Sequence, residues 1–287
     1  MTPRVLGWFT ARPGRPKLQK AGRFFQDLPA LLLGLPFLAL MGFTLVAAFT
    51  PTANLNRGEV GPFTLENLRL AWASANFPRL YWNTTLLTFG LLLVQLLTVT
   101  TAGFALAHMR GRWKDWAFHL VLLQLFLPPS ALILPNFLTL KALGLTDTLT
   151  GVALPYVASA TGAFLLRQGF RQVPKELVEA AVMDGATPWQ VMARVLLPLV
   201  RPHLAAFSLV SLVYHWNEFL WPLVVLQSPE KRVLSLGFAS FARSAESGME
   251  WGLIAAGALL VGLPMLIAFA LFQRAFVESF ARSGLKG

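Results

Sequence analysis

The sequence predicts an all-α integral membrane protein, with six transmembrane helices and a helix–turn–helix segment in a cytoplasmic loop. Three observations lead to this fold class. Hydrophobic residues make up 55% of the 287 residues and charged residues only 13%, whereas a soluble domain carries roughly 25% charged residues. Six stretches are apolar over about the 20 residues that a helix needs to cross the hydrocarbon core. A short polar segment, ELVEAAVMDGATPWQ, lies between two of these stretches.

The six predicted spans contain one formally charged residue in total, Glu218. Prolines interrupt several spans, which a transmembrane helix tolerates where neighbouring groups or water satisfy the freed carbonyls. The spans form a membrane domain over residues 28–273, between a basic N-terminal tail over residues 1–27 and a C-terminal tail over residues 274–287. They cover residues 28–49, 84–108, 116–140, 148–166, 203–226 and 251–272, and Asn83, Thr84 and Thr85 are interpreted as the start of the second helix.

The distribution of positive charge predicts the orientation of the chain. Most of the 24 Lys and Arg residues lie in the two tails and in the second and fourth connections. Because Lys and Arg are concentrated on the cytoplasmic side of membrane proteins, both termini and the polar segment are expected there. The net charge of +11 is therefore a topology signal and does not indicate a nucleic-acid partner. The chain has no Cys, which excludes disulfides and thiolate metal sites.

The polar segment is interpreted as a helical hairpin over about residues 173–200, which we call the elbow. Its first helix is expected from about Lys175 to Met183, after Pro174. Gly185 then allows a sharp turn. Thr187 is expected to cap the second helix and to form a capping box with Gln190.

Helical spacing predicts which faces of the elbow are apolar. One stripe of the first helix should contain Leu177, Ala180 and Ala181. One face of the second helix should contain Trp189, Met192, Ala193, Leu196 and Leu197. Asp184 sits near a helix C-terminus, where the helix dipole disfavours an anion by about 0.3–1 kcal/mol. It therefore needs a partner, either backbone N–H groups in the turn or a group on a docked protein.

Several segments of the chain resemble one family of bacterial membrane proteins. EAAVMDGATPWQVMARVLLPLVRP is similar to the EAA loop of ABC-type import permeases, and FTLENLRLAW and WNEFLWPLVVL are similar to other parts of the carbohydrate-uptake subgroup. The resemblance runs from about residue 28 to the end. The closest branch is the MalG-like one, whose members are binding-protein-dependent transport system inner membrane components.

The resemblance implies a function and a set of partners. The chain would be a multi-pass permease subunit of the bacterial cytoplasmic membrane, moving a sugar, polyol or glycerol phosphate by alternating access. A separate ABC ATPase dimer would bind ATP and Mg. A second permease subunit, forming a heterodimer, and an extracytoplasmic solute-binding protein would complete the complex. The docking surface for the ATPase, the coupling helix, would consist of Glu179, Ala180, Ala181, Asp184, Gly185 and Ala186.

The absence of a nucleotide motif agrees with this implication. The sequence contains no G-x-x-x-x-G-K-[ST] phosphate loop, so an ATP-driven process would need another chain to bind the nucleotide. No catalytic residue and no cofactor of the chain itself is expected.

Polar residues inside the spans are candidates for the substrate pathway. A carboxylate in the bilayer costs a few kcal/mol, so Glu218 should face a cavity or a partner. Two interpretations remain open for it: contact with substrate, or a bond to neighbouring backbone in a span kinked ahead of Pro222. The same pathway would include Tyr214, Asn217, Gln124 and Asn136, although polar contacts between helices are an equal alternative for the amides.

Two other classes of function compete with the permease. A self-sufficient secondary transporter or channel would use Glu218 as its proton site. A membrane enzyme would need a grouping such as His with Glu or Ser with His. The four His residues show no such grouping in sequence and lack partners at ligand spacing, so no metal site is expected.

Overall fold

The computed structural model describes the backbone of residues 16–109, 111 and 113–284, and the side chains of residues 32–270 within those ranges. The described residues form helices joined by short connections, and none of them forms a strand. Residues 1–15 of the predicted basic tail lie outside the described residues. This part of the chain confirms the all-α prediction.

Fifteen α-helices, named α1 to α15 in chain order, contain most of the described residues. The long ones and those that shape the site are α1 (Pro16–Phe49), α3 (Glu66–Ser74), α4 (Phe77–His108), α5 (Trp113–Phe126), α6 (Ile133–Ala142), α7 (Leu149–Ala153), α8 (Ala160–Arg171), α9 (Lys175–Met183), α12 (Arg201–Asn217), α13 (Leu220–Val225), α14 (Leu234–Ser247) and α15 (Trp251–Gly284). The others have one turn or less: α2 (Thr52–Leu55), α10 (Pro188–Gln190) and α11 (Leu197–Leu199). Three 3₁₀-helices (Pro129–Leu132, Leu154–Tyr156 and Pro229–Lys231) and one π-helix (Val191–Leu196) complete the list.

Among the described residues, three helices are long and apolar enough to cross a membrane: α1, α4 and α15. Three pairs of helices pass the same test only when each bent pair is counted as one crossing, which gives up to six crossings. These pairs are Trp113–Phe126 with Pro129–Ala142, Leu149–Tyr156 with Ala160–Arg171, and Pro188–Leu199 with Arg201–Asn217.

The third predicted span is broken rather than continuous. Residues 116–140 fall in two helices that meet at 101°. Pro128 and Pro129 stand at the break. Proline removes a backbone donor and disfavours helical conformation in the residue before it, so two in succession end the helix.

The fourth and fifth predicted spans are also interrupted. In the fourth, Ser159 caps α8 by accepting a hydrogen bond from the Gly162 N–H at 3.1 Å, and the chain bends by 44°. In the fifth, α12 ends at Asn217, and Glu218 takes an extended conformation before α13. Pro222 has no N–H to donate to Glu218, and the Ser235 hydroxyl donates to the Glu218 carbonyl at 2.7 Å instead.

Two helices begin earlier than the sequence predicts. Helix α1 starts at Pro16, inside the predicted tail, and α4 starts at Phe77, just after Asn76 in the left-handed region with φ +48°. The interpretation of Asn83, Thr84 and Thr85 as a helix start is therefore wrong. Asn83 Nδ2 donates to the carbonyls of Glu230 and Arg232, at 2.8 and 2.9 Å. Thr84 Oγ1 accepts from the Leu234 N–H at 2.7 Å, so Asn83 and Thr84 hold a distant segment, which local sequence does not reveal.

The buried side chains form three clusters. The first joins α1, α3, the start of α4, α14 and α15. The second joins the end of α4, α8, the elbow and α12. The third joins α6, α7, α13 and the start of α14. Many apolar side chains face outward, such as Leu33 and Phe37 of α1 at 74% and 72% exposure, as expected for a surface against lipid or another subunit.

Candidate coupling surface and membrane cavity

The elbow turns at the residues that the sequence indicates. Helix α9 covers Lys175–Met183, and Gly185 follows with φ +81°. The Ala186 N–H donates to the Ala181 carbonyl at 3.0 Å, which closes the helix end in the manner of a Schellman motif. A Cβ added at Gly185 would meet nothing within 4 Å, so this position requires glycine for its backbone conformation and not for space.

The capping box at the second helix is present. The Thr187 N–H donates to Gln190 Oε1 at 2.8 Å, and the Gln190 N–H donates to Thr187 Oγ1 at 3.4 Å. Pro188 occupies the first turn, where a missing N–H costs nothing. The predicted start of this helix is confirmed.

The predicted apolar face of the second helix is confirmed at Met192 and Leu196 and wrong at Trp189 and Ala193, because residues 191–196 form a π-helix. A π-turn contains more residues than an α-turn, so the inward face drifts along the sequence. Val191, Met192 and Leu196 are buried. Trp189, which was placed on the inner face, is 64% exposed.

The inward stripe of α9 is also shifted from the predicted one. Val178 and Ala181 pack against the second cluster. Leu177 is 46% exposed and Ala180 is exposed. The side chains packed against α9 set the rotation of this helix about its axis. The nine residues of α9 alone do not determine it.

Four of the six predicted docking residues are exposed: Glu179, Ala180, Asp184 and Gly185. The other two, Ala181 and Ala186, are half-buried against the second cluster. Beside the exposed ones lie Val182 and Met183, at 58% and 83% exposure, and Trp189. The tip of the elbow therefore combines acidic side chains with exposed apolar ones, and exposed apolar surface is typical of protein–protein contacts.

The inner side of the elbow is continuous with the membrane helices. Its half-buried residues share the second cluster with Phe104 of α4, Leu166 and Phe170 of α8, and Phe207 of α12. Close-packed interiors transmit displacement because they have little free volume. A movement of the elbow would therefore move these three helices.

A cavity of about 320 Å³ opens between α4, α5, α8 and α12, a volume in the range of small-molecule sites. Gln124, Asn136 and Tyr214 line it together, although they come from two separate predicted spans, the third and the fifth. Asn217 and Glu218 are not among its lining residues.

The two residues outside the cavity have local roles. Asn217 Nδ2 donates to the Val213 carbonyl at 2.8 Å, one turn earlier. Glu218 Oε1 accepts from the Trp221 N–H at 3.3 Å and so caps α13. The Glu218 carboxylate is thus bonded to neighbouring backbone, and it also contacts the side chain of Tyr214, which lines the cavity; contact of Glu218 with substrate stays a prediction.

A polar network in the wall of the cavity was missed by sequence reasoning. Gln95 is 2% exposed, and its Nε2 donates to the Tyr156 carbonyl at 2.7 Å and lies 3.2 Å from His215 Nε2. Ser211 Oγ donates to Gln95 Oε1 at 2.6 Å. Two signals in the sequence could have indicated it. Gln95 is an amide in the middle of the second predicted span, and Ser211 and His215 are polar residues four positions apart on one face of the fifth predicted span.

Aromatic rings line the same wall. Tyr156 lies 6.1 Å from Tyr214 and 4.8 Å from His215, between ring centroids, in edge-to-face arrangements. The site therefore offers ring surface and hydrogen-bonding groups side by side. Among the described residues, no group of three His, Asp or Glu side chains is placed to hold a metal ion.

A rigid loop lies at the other end of the molecule from the elbow, over residues 227–233. The Asp147 carboxylate accepts from the Ser228 hydroxyl, from the N–H groups of Gln227 and Ser228 at 2.8 and 3.0 Å, and from Lys231 Nζ at 3.0 Å. These donors hold the pKa of the Asp147 carboxyl well below its ordinary value, the Ser228 hydroxyl most of all. We call this arrangement the Asp147 clasp.

A cleft of about 720 Å³ lies beside this loop, between the ends of α3, α4, α14 and α15. Charged side chains of both signs line it: Arg79, Glu230, Arg232 and Glu250. Arg79 Nε donates to the Glu230 carbonyl at 3.1 Å, which fixes one wall. This cleft is larger than the cavity that Gln124 lines, and it faces away from the elbow.

Comparison with known proteins gives one consistent family. The profile of the family described as "Binding-protein-dependent transport system inner membrane component" matches residues 99–282. The chain is 32% identical over 272 residues to the arabinooligosaccharides transport system permease protein AraQ of Halalkalibacterium halodurans, covering 90% of this chain and 96% of AraQ. It is 31% identical over 268 residues to the sn-glycerol-3-phosphate transport system permease protein UgpE of Escherichia coli, covering 88% and 94%.

A third relative and a solved structure agree. The lactose transport system permease protein LacG of Rhizobium radiobacter is 31% identical over 259 residues, covering 90% of this chain and 93% of LacG. A chain of a bacterial ABC transporter involved in the import of the acidic polysaccharide alginate superposes with a TM-score of 0.79 at 23% identity, over 92% of this chain and all of that one. At that identity the superposition establishes the fold.

Proposed function

We propose a specific role from the premise that this chain belongs to the family of binding-protein-dependent transport system inner membrane components. The chain is a permease subunit of an importer of this kind. In our proposal it moves a polyhydroxylated solute by alternating access, driven by ATP hydrolysis on a separate subunit. The chain contributes no catalytic residue, and ATP and Mg bind the partner.

The exposed tip of the elbow is the observation that carries the proposal. Val182, Met183 and Trp189 are bare apolar side chains next to exposed acidic ones. Their inner neighbours pack into the cluster that joins α4, α8 and α12. An ATPase subunit bound to this tip would act directly on helices that line the cavity.

The class of solute is proposed from the relatives and from the cavity. The relatives are named for arabinooligosaccharides, sn-glycerol-3-phosphate and lactose, all of which carry several hydroxyl groups. Gln124, Asn136 and Tyr214 offer donors and acceptors to hydroxyls at the cavity wall. Aromatic faces beside them suit the C–H faces of a sugar. We propose that these three residues line the solute pathway.

The remaining partners follow from the same family. A second permease subunit would cover part of the outward apolar surface, and lipid the rest. A solute-binding protein would dock at the end that carries the Asp147 clasp and the larger cleft, on the extracytoplasmic side. Both termini and the elbow would face the cytoplasm, in the bacterial inner membrane.

No observation favours the alternative of a self-sufficient transporter. That alternative depends on Glu218 as a proton site. The Glu218 carboxylate caps α13 and does not line the cavity.

Affinity purification of the tagged chain tests the proposal. We expect an ATPase and a second permease to copurify, and the complex in liposomes to take up solute only with ATP and a binding protein. Met183→Asp should reduce the amount of copurified ATPase by about tenfold or more, since one buried apolar contact is worth on the order of 1.5–3 kcal/mol.

Met249→Asp is the matched control. Met249 is 67% exposed at the opposite end of the molecule, so the same substitution there should leave the ATPase bound. Equal loss in both variants, or uptake by the purified chain alone without ATP, would refute the proposed function.

A further inference from the structure

Arg167 is a buried cation at the junction of three helices. It lies in α8, one turn before the end of the helix, and is 7% exposed. Burying a guanidinium is costly unless its surroundings compensate the charge. Arg167 forms no ion pair with a carboxylate of the described residues. The charge of Asp115 in α5 favours the cation from a distance, and the remaining compensation comes from groups in direct contact.

Those groups belong to two different helices. Arg167 Nε donates to the Leu106 carbonyl at 3.3 Å, near the C-terminus of α4, where helix carbonyls carry partial negative charge. Its Cζ lies 3.6 Å from the centroid of the Phe118 ring of α5, a cation–π geometry that gains strength when desolvated. One side chain of α8 thus holds both neighbours.

The contacts to the two neighbours differ in kind. At Gly103 the backbones of α4 and α8 approach closely, and an added Cβ would lie 2.7 Å from Leu166 Cβ. These two helices are therefore packed backbone against backbone. Helix α5 is attached to α8 through its Phe118 ring, which stacks on Phe164 at 6.1 Å and lies under Arg167.

The position of these contacts links the elbow to the cavity. Helix α8 ends at Arg171, and α9 of the elbow begins at Lys175. At the other end of α5, Gln124 lines the cavity. A displacement of the elbow that rotates α8 reaches α5, and the part of the cavity wall that α5 contributes, through the contacts between α8 and α5.

We propose that Arg167 is a positioning residue that transmits elbow movement to α5 and so to the cavity wall. The proposal rests on the proposed function, because the displacement comes from the ATPase. It adds a residue outside both the elbow and the cavity. A merely structural Arg167 would hold α5 in place without affecting how α5 responds to nucleotide.

The test follows the accessibility of Gln124→Cys. The chain has no cysteine of its own, so N-ethylmaleimide labels this chain at one site in the copurified complex. We expect the labelling rate to differ by about threefold or more between the nucleotide-free complex and the complex trapped with ATP and vanadate. Adding Arg167→Met should bring the ratio of rates close to 1, while ATP hydrolysis stays within about twofold of the reference, because the elbow is untouched.

Arg171→Met is the matched control. Arg171 lies one turn after Arg167, at the end of α8, and is exposed, so its removal should keep the ratio. Phe118→Leu is the second variant, for the case that Arg167→Met does not assemble. It keeps apolar bulk and the Leu106 contact but removes the ring face, and it should also lower the ratio.

The outcomes separate the inference from its premise. A nucleotide-dependent ratio that survives Arg167→Met or Phe118→Leu overturns the role of Arg167 while leaving the proposed function standing. An equal loss in Arg171→Met overturns it too. If no ATPase copurifies, or if the reference chain shows no nucleotide dependence, the proposed function fails and the inference fails with it.

Discussion

Glu218 shows how a single carboxylate can be accommodated between two helices of a membrane protein. Its backbone is extended between α12 and α13, its side chain caps the second helix, and its carbonyl accepts from Ser235. At the break, the Glu218 carboxylate, the Glu218 carbonyl and the Trp221 N–H each have a hydrogen-bond partner. These bonds remove most of the cost of burying the polar groups. The residue allows the span to bend.

Substitution of Glu218 should distinguish a cap from a charged site. Glu218→Gln keeps an acceptor oxygen for the Trp221 N–H, so we expect uptake close to that of the wild type. Glu218→Leu removes the acceptor and should destabilise the protein by about 0.5–2 kcal/mol, as cap removal does. Uptake assays and thermal unfolding of the detergent-solubilised complex measure the two effects. Loss of uptake in Glu218→Gln equal to that in Glu218→Leu would mean that the negative charge is needed.

The Asp147 clasp predicts a pH dependence of stability. Hydrogen bonds from Ser228, Gln227 and Lys231 lower the pKa of the folded carboxyl, whereas an unfolded Asp titrates near pH 3.9. The stabilisation is therefore complete above about pH 3.9 and is lost as the pH falls through the folded pKa.

We expect the difference in unfolding temperature between the wild type and Asp147→Ala to be constant above about pH 5 and to shrink below about pH 4. The fluorescence of the 9 Trp residues reports unfolding. A difference that grows on acidification would contradict the clasp.

At the scale of the element, the elbow is the part of the fold that sequence predicts best. Pro174, Gly185 and the Thr187–Gln190 capping box act within a few residues of themselves, so local sequence suffices to place them. The π-helix and the inward face of α9 depend on packing against α4 and α8, which no local pattern encodes. The Gln95 network joins residues more than 100 positions apart, and the sequence gives only its separate members.

Two substitutions at Gly185 separate the effect of backbone conformation from the effect of side-chain size. Open space surrounds the position, and its φ is +81°. Asn tolerates the left-handed region, whereas placing Val in that region costs about 1–2 kcal/mol. Gly185→Asn should therefore retain most ATP-driven uptake and Gly185→Val should lose most of it, at equal amounts of chain in the membrane. Equal uptake in both variants would show that the turn is dispensable.

At the scale of the whole molecule, the three clusters suggest how the chain divides its work. The elbow, α4, α8 and α12 form one packed group, and the Asp147 clasp ties α6, α7 and α13 at the opposite end. The cavity lies between α5 and the first of these groups. Composition and hydrophobic length predicted the membrane fold, because burial in lipid acts on every residue of a span. The breaks in three spans were not predicted, because a proline can kink a helix or end it, and its neighbours decide which.

For an ATPase to drive this chain, the elbow must face the cytoplasm while the Asp147 clasp faces outward. Met183→Cys and Met249→Cys, introduced one at a time into the naturally cysteine-free chain and produced without its partners, report the two ends. Intact cells are treated with a membrane-impermeant maleimide before and after permeabilisation. We predict that Met249→Cys is labelled in intact cells and that Met183→Cys is labelled only after permeabilisation. Labelling of Met183→Cys from outside would contradict the account.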